Sequence, residues 1–246
     1  MYIWKKILFI SIVFVTVIGL IVMLRFASQT HDDVCENVYV EVSDYGVLQF
    51  VSISDIEKHL KQQNLYPQGN VQSTINLAEI ETCLLQLNVV KDVNCYFTPT
   101  GDVSISVTQR VPIFRVKNEC EDYYVDKDRN KMSTSIKFSA YVPIVTGSVS
   151  FDYVSTELFD FMQYLQSESR WRSAFTQICV YEEEKIELIP RVGNFAIRLG
   201  ALDRYEFKLE KLDKFLSVLP KYYSWNEYSI INLEYKDQVV CTERKK

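Results

Sequence analysis

Gln109-Arg110-Val111-Pro112-Ile113-Phe114-Arg115-Val116 is the stretch on which the architecture of this chain turns. An alternating strand pattern, Val103 to Val107, runs up to it, and apolar alternation resumes at once in Ile113, Phe114 and Val116. No run of Gly, Ser or Pro lies between the two patterns. Domain boundaries usually fall in exposed polar linkers that few contacts cross. A boundary at residues 110 and 111 with no linker predicts two domains in direct contact, stiffly coupled.

Toward the N-terminus, the first domain reads as β-α-α-β-β. Val38, Val40 and Val42 alternate with Tyr39 and Glu41, the period of a strand. Ser54 with Glu57 reads as a capping box, and Ile56 and Leu60 give a short amphipathic helix that ends before Pro67 and Gly69. Asn76 with Glu79 repeats that signal ahead of Ile80, Leu84 and Leu87, which share one helical face. Val93 to Thr98 and Val103 to Val107 flank the Pro99-Thr100-Gly101 turn as a hairpin.

Toward the C-terminus, Ile113 to Val116, Tyr123 to Asp126 and Val142 to Val145 are short strands, with a charged turn over 126–131. Ser155 is placed to cap a helix carrying Leu158, Phe161, Met162 and Leu165 on one face. Phe175 to Tyr181, Lys185 to Pro190 and Phe195 to Leu199 follow as strands. Asp203 and Glu206 then read as a carboxylate cap for a helix with Leu209, Leu212, Leu216 and Leu219, stopped by Pro220. Ser229 to Tyr235 and Gln238 to Thr242 end the chain as two strands. The expected fold class is α+β. It has a single N-terminal transmembrane helix, a β-α-α-β-β domain over 38–110, and a mainly antiparallel β-domain with two helices over 111–243.

The transmembrane expectation rests on Ile7 to Leu24, 18 positions without a charge. At about 1.5 Å per residue such a helix matches a bilayer's hydrocarbon thickness. Lys5 and Lys6 precede the run, and Asp32 and Asp33 follow it. The positive-inside bias therefore leaves residues 1–6 in the cytoplasm and exports the body behind a juxtamembrane linker, 25–37. A cleaved signal peptide is the rival reading. The run exceeds the usual apolar core of one, and Arg25 sits where small residues would mark cleavage. With Lys5, Lys6 and Arg25 at the membrane, the 27 Lys and Arg reduce to 24 against 32 Asp and Glu. The exported part is thus acidic, at net −8, which argues against nucleic acid as a partner.

The order of these elements and four stretches of sequence resemble the FtsQ/DivIB family of bacterial cell-division proteins in its Bacteroidetes-type form. The stretches are the junction Gln109 to Val116, Pro143-Ile144-Val145-Thr146-Gly147, the strand, Leu-Gly and helix of Ile186 to Leu219, and Ile231-Asn232-Leu233-Glu234-Tyr235 followed by Gln238-Val239-Val240-Cys241. Ala201 departs from the pattern, standing where many relatives carry Arg. The resemblance implies that the β-α-α-β-β unit is a POTRA domain. It further implies a bitopic, non-enzymatic divisome scaffold in the inner membrane, with periplasmic domains, at the division septum. FtsB/FtsL-type bitopic proteins would be its partners and the bilayer would hold residues 7–24. By that resemblance the last strand receives the partner, with Tyr235, Asp237, Gln238, Val239, Val240 and Cys241 as the edge. The bland alternative is a closing strand satisfied within its own domain. Tyr96, Phe97 and Arg110 are candidate positions on the POTRA surface, and Tyr222, Tyr223, Trp225 and Tyr228 form an aromatic cluster that is either interface or core cover.

Little in the chain suggests chemistry. His31 and His59 are its two histidines and are far apart in sequence. Asp32, Asp33 and Glu182 to Glu184 lie in linker and turn, where a solvated charge run is the better reading. No metalloprotease, nucleophile-elbow, P-loop or dinucleotide-binding motif occurs. Neither a catalytic residue, a cofactor, a metal nor a small-molecule substrate is therefore assigned. The six cysteines contain no C-x-x-C pair and leave disulfide formation open. Two other function classes stay in view: a POTRA-containing protein of export or outer-membrane assembly, and an anchored envelope enzyme. The first lacks the run of about ten-residue strands a barrel needs.

Overall fold

A computed structural model describes residues 14–23, 34–43, 46–181, 184–222 and 227–244. Within the uncharged run, residues 14–23 are helical with exposed side chains, and the remainder lies outside the described residues, as do Tyr223 and Trp225. Among the described residues no helix is long and apolar enough to cross a membrane.

The N-terminal unit follows the expected order: β1 (Val38–Val42), α1 (Ile53–Gln62), a 3-10 turn (Gln72–Thr74), α2 (Leu77–Leu85), β2 (Val90–Phe97) and β3 (Val103–Gln109). The hairpin makes β2 and β3 antiparallel, while the two intervening helices bring β1 alongside β3 in parallel, for a sheet order of β1-β3-β2. Ile56, Leu60, Ile80 and Leu84 from the helices are buried with Val103, Ile105 and Val107 from β3. Each such side chain contributes about 1.5–3 kcal/mol on burial. Asn76 caps α2 as its sequence suggests. The cap of α1 lies two residues earlier than expected. Ser52 has the extended backbone of a cap and exchanges hydrogen bonds with Asp55, whereas Ser54 already sits in the first turn.

The C-terminal unit contains β4 (Pro112–Lys117), β5 (Asp122–Asp126), β6 (Lys131–Ser133), β7 (Ile144–Gly147), α3 (Phe151–Ser155), α4 (Glu157–Ser167), β8 (Phe175–Val180), β9 (Ile186–Pro190), β10 (Ala196–Gly200), α5 (Tyr205–Tyr222), β11 (Tyr228–Asn232) and β12 (Val240–Glu243). They form one open sheet, ordered β12-β11-β10-β9-β8-β7-β4-β5-β6. The sheet is mainly antiparallel, as expected, in five of its eight pairings, and the other three, β4 with β7, β7 with β8, and β10 with β11, are parallel. Two of these parallel pairs are separated by helical crossovers, α3 and α4 in one case and α5 in the other. Apolar alternation fixes which face a residue occupies and says nothing about strand direction. Leu158, Phe161 and Met162 of α4 and Leu209 and Leu212 of α5 share one core with Phe114, Val145, Ile178, Leu188, Ile197 and Ile231 of the sheet.

Helix starts differ here too. Ser150 caps α3 through Tyr153 N, and Thr156 separates α3 from α4, so Ser155 ends a helix rather than starting one. Arg204 has φ +47 and α5 begins after it; Asp203 is used by Lys208 Nζ at 2.6 Å instead of capping with Glu206. α5 continues past Pro220 to Tyr222. A proline's φ is helical, so within a last turn it removes one hydrogen bond without ending the helix.

The two units meet along a packed seam. Gln109 is 2% exposed; its Oε1 accepts from Phe50 N (3.0 Å) and Val51 N (3.2 Å), and its Nε2 donates to Leu48 O (2.8 Å). Leu48 and Phe50 thereby join Tyr124 and Met132 of the C-terminal sheet in a separate apolar cluster. The chain between β6 and β7 crosses back over this cluster. Phe138 stacks edge-on against Phe50 with centroids 4.9 Å apart, and Lys137 Nζ reaches Asp55 at 3.0 Å. Arg110 pairs with the fully buried Asp126 at 2.6 Å, and Lys91 with Asp128 at 2.6 Å. Arg110 is thus a seam residue and not a free position on the POTRA surface. All six cysteines are free thiols, with Cys35, Cys83 and Cys95 buried.

Candidate functional site

A sheet edge is sticky wherever its outward N–H and C=O groups lack partners. The two sheets have four edges, and two are blocked by the protein itself. On β2, the outward N–H of Cys95 donates to Glu81 Oε1 of α2 at 2.7 Å. Burial and that carboxylate push the Cys95 thiol up to about 12. On β6, only three residues long, Ser133 N donates to Asn88 Oδ1 of the N-terminal unit at 3.3 Å. Among the described residues β1 and β12 each pair on one side only.

The register of β12 defines what its open side offers. Ile230 lies opposite Thr242, Ile231 opposite Cys241 and Asn232 opposite Val240. Leu233 N donates to Arg198 O, so odd residues of β11 bond to β10 and even ones, Ile230 and Asn232, bond to β12. Val240 and Thr242 therefore point their backbone groups inward along the ladder. Cys241 and Glu243 point theirs outward. Val239 and Cys241 pack part of their side chains on the main core, and burial raises the Cys241 thiol. Val240 is 39% exposed.

The residues expected to form the partner edge thus divide into two groups. Val240 and Cys241 lie in β12 itself. Tyr235, Asp237, Gln238 and Val239 lie in the loop that leads into it, with Tyr235 half exposed. A residue with no distinctive sequence signal sets that loop: Lys211 Nζ of α5 donates to Leu233 O at 3.2 Å and to Tyr235 O. Desolvation by burial, with Lys208 nearby, lowers its pKa. Gly200 approaches the same region, and with φ +73 a Cβ there would come 2.7 Å from Glu234 Cγ. Of the POTRA candidates, Tyr96 and Phe97 lie on β2, 50% and 37% exposed.

His59 lies on α1, while His31 lies outside the described residues. Among the described residues no group of three or more His, Cys, Asp or Glu is placed to hold a metal ion. Together these features give a compact β-α-α-β-β unit seamed to a large open sheet that presents a backbone edge. Residues 33–108 match the POTRA-like domain model, and residues 111–242, more than half of the chain, match the model described as FtsQ/DivIB, C-terminal related. The chain belongs to the FtsQ/DivIB family. That family is one of non-enzymatic cell-division scaffolds, components of protein–protein interaction in the divisome that associate with the membrane at the septum. Among curated proteins, none matches the chain.

Proposed function

We propose that this protein is a bitopic divisome scaffold. Residues 1–6 are cytoplasmic, 7–24 cross the inner membrane and 25–37 form a juxtamembrane linker. The POTRA domain (38–110) and β-domain (111–243) work in the periplasm. Its partners are small bitopic proteins of the FtsB/FtsL type, one of which adds a strand to β12 along Val239, Val240 and Cys241. Tyr235, Asp237 and Gln238 form the adjoining loop contact. The observation that carries this reading is the outward-facing backbone of Cys241 and Glu243 on an edge that no other strand covers among the described residues. Strand addition draws affinity from main-chain hydrogen bonds and specificity from alternate side chains. Membrane anchoring then raises the effective concentration of both partners by confining them to one surface. The scaffold would thereby couple membrane-anchored division proteins to septal wall synthesis.

The test is Val239→Pro in the full-length, membrane-embedded protein. It removes a backbone N–H at the entry to the open edge while leaving the β11–β12 ladder intact, because Val239 lies outside that ladder. The variant should fold and lose capture of the bitopic partner. Unchanged capture by a folded Val239→Pro protein would remove β12 as the docking edge. Depletion should give filaments, and normal division without a substitute protein would remove the scaffold role.

A further inference from the structure

At the far edge of the large sheet, beside β6, the seam opens into a cleft of about 540 Å³. α1 forms one wall, residues 133–135 form the other, and Phe50 and Leu87 contribute apolar surface. Domain interfaces are favoured places for ligand sites, and this volume falls in the usual range of about 300–1,000 Å³.

The polar groups of the cleft are unbalanced. The one carboxylate among its lining residues, Asp55, is already committed: Oδ2 accepts from Ser52 N (3.1 Å) and Ser52 Oγ (2.6 Å), and Oδ1 from Lys137 Nζ (3.0 Å). Lys58 is exposed and, among the described residues, has no ion-pair partner. Asn88 Oδ1 is taken by Ser133 N, which leaves its amide N–H groups. Ser135 Oγ accepts from Lys137 N at 3.2 Å, which leaves its hydroxyl proton to donate. Gln62 adds a further amide, and His59 lines the same wall with a buried Nε2 that has no hydrogen-bond partner. Gln86 and Thr134 also line the cleft, and with Gln62 they can donate or accept, so the feature that sets the cleft apart is its single free charge among the described residues, the cation Lys58, in a protein whose net charge is negative.

We propose that this cleft binds a carboxylate side chain on an extended acidic peptide segment of a protein partner, with Lys58 as its charged contact. A peptide suits it better than a free anion for two reasons. The apolar floor accepts the methylenes that carry a carboxylate, and Ser133, Thr134 and Ser135 line the wall with hydroxyl groups for a longer chain to meet. The site is independent of the β12 reading, since the two lie at opposite edges of the nine-stranded sheet.

The chain carries its own reporter, because His31 and His59 are its only histidines. Untagged full-length protein in nanodiscs, isotopically labelled at histidine, should give two imidazole signals, with His59→Gln identifying the one that belongs to the cleft. At fixed pH, acetyl-Glu-Glu-Glu-amide should move the His59 signal saturably and leave His31 in place, while acetyl-Gln-Gln-Gln-amide should not. Lys58→Gln, an exposed substitution, should raise the midpoint about tenfold, equivalent to ~1.4 kcal/mol. No movement, equal movement by the neutral peptide, or an unchanged midpoint in Lys58→Gln would overturn the site. Phosphate acting at the same midpoint as the Glu peptide would overturn the peptide assignment.

Discussion

Replacing Gln109 with Leu tests whether the seam is organised as the hydrogen bonds indicate. The two side chains are similar in volume, so the change removes polarity and leaves packing nearly intact. Four backbone groups lose their side-chain partner: Phe50 N, Val51 N and Leu48 O, at 3.0, 3.2 and 2.8 Å in the native protein, and the partly buried Ser43 O at 3.4 Å. Leu48, Phe50 and Val51 are at most 8% exposed, so water does not replace the missing partner without opening the seam. Each buried unsatisfied group costs about 1–3 kcal/mol. The added apolar burial of Leu offsets roughly 1 kcal/mol. A net loss of about 4 kcal/mol follows, a large share of a typical stability of about 5–15 kcal/mol. Urea unfolding followed by circular dichroism measures the total. Amide exchange at Phe50 and Val51 locates it, and both amides should exchange faster even where the global fold survives. A loss below about 1 kcal/mol, with Phe50 and Val51 still protected, would mean that the 46–51 segment holds its place without Gln109 and that the coupling lies elsewhere.

Two further expectations concern the large sheet. Gly147 has φ +108, and a Cβ there would sit 2.0 Å from the carbonyl oxygen of Val180, its register partner in β8. Gly147→Ala must therefore part β7 from β8 at the centre of the sheet, with a loss of about 3 kcal/mol or more in urea unfolding, whereas a loss under 1 kcal/mol would contradict the pairing. Stability should also fall in acid. The Arg115 hydrogen bonds to Asp122 hold that carboxyl below its usual range, and Ser52 and Lys137 do the same for Asp55. A depressed native pKa gives stability that is complete above the unfolded-state value of about 3.9 and is lost as pH falls through the native one. The unfolding midpoint should thus change little from neutrality to about pH 5 on account of these groups, then drop below about pH 4. Asp122→Asn should drop less steeply there, and an identical acid limb in that variant would exclude the Arg115 pair from the effect.

How far the sequence carries depends on whether a feature is local. The β2–β3 hairpin was legible because Pro99-Thr100-Gly101 separates two alternating runs, and α2 because Asn76 precedes a periodic apolar face. The start of α1 is ambiguous in the sequence because Ser52 with Asp55 and Ser54 with Glu57 overlap as equivalent capping patterns, and only the backbone at Ser52 decides between them. β6 escaped notice since three residues are too few to show a period. The family was legible in the junction and terminal stretches, but Gln109 looked like one more polar residue at a strand end. Its role requires residues 48–51 to arrive from 58 or more positions away. Lys211 was equally silent, a lysine on a helix whose purpose appears only when the loop before β12 comes beneath it. The cleft at Lys58 could not be read at all, because neither unit contains it alone.

The arrangement of edges gives the proposed docking role its specificity. An unguarded edge would recruit any extended segment, including another copy of the chain. Here β2 has the Glu81 carboxylate seated on its outward Cys95 N–H, and β6 is short and capped from the neighbouring unit by Asn88. β1 is also unpaired on one side among the described residues, and it carries the exposed charge of Glu41 next to its last residue. β12 has its outward groups at Cys241 and Glu243, and Lys211 fixes the loop that sets their register. From β12 the ladder runs through nine strands to β6, roughly 38 Å at about 4.8 Å per step. β6 in turn is held by the seam that Gln109, Arg110 and the 134–143 crossing secure. A strand added at β12 therefore joins a body whose far end is fixed to the POTRA unit. Its position relative to the POTRA unit is then set by the protein's own packing, and the junction at residues 110 and 111 keeps the two units close by having no linker.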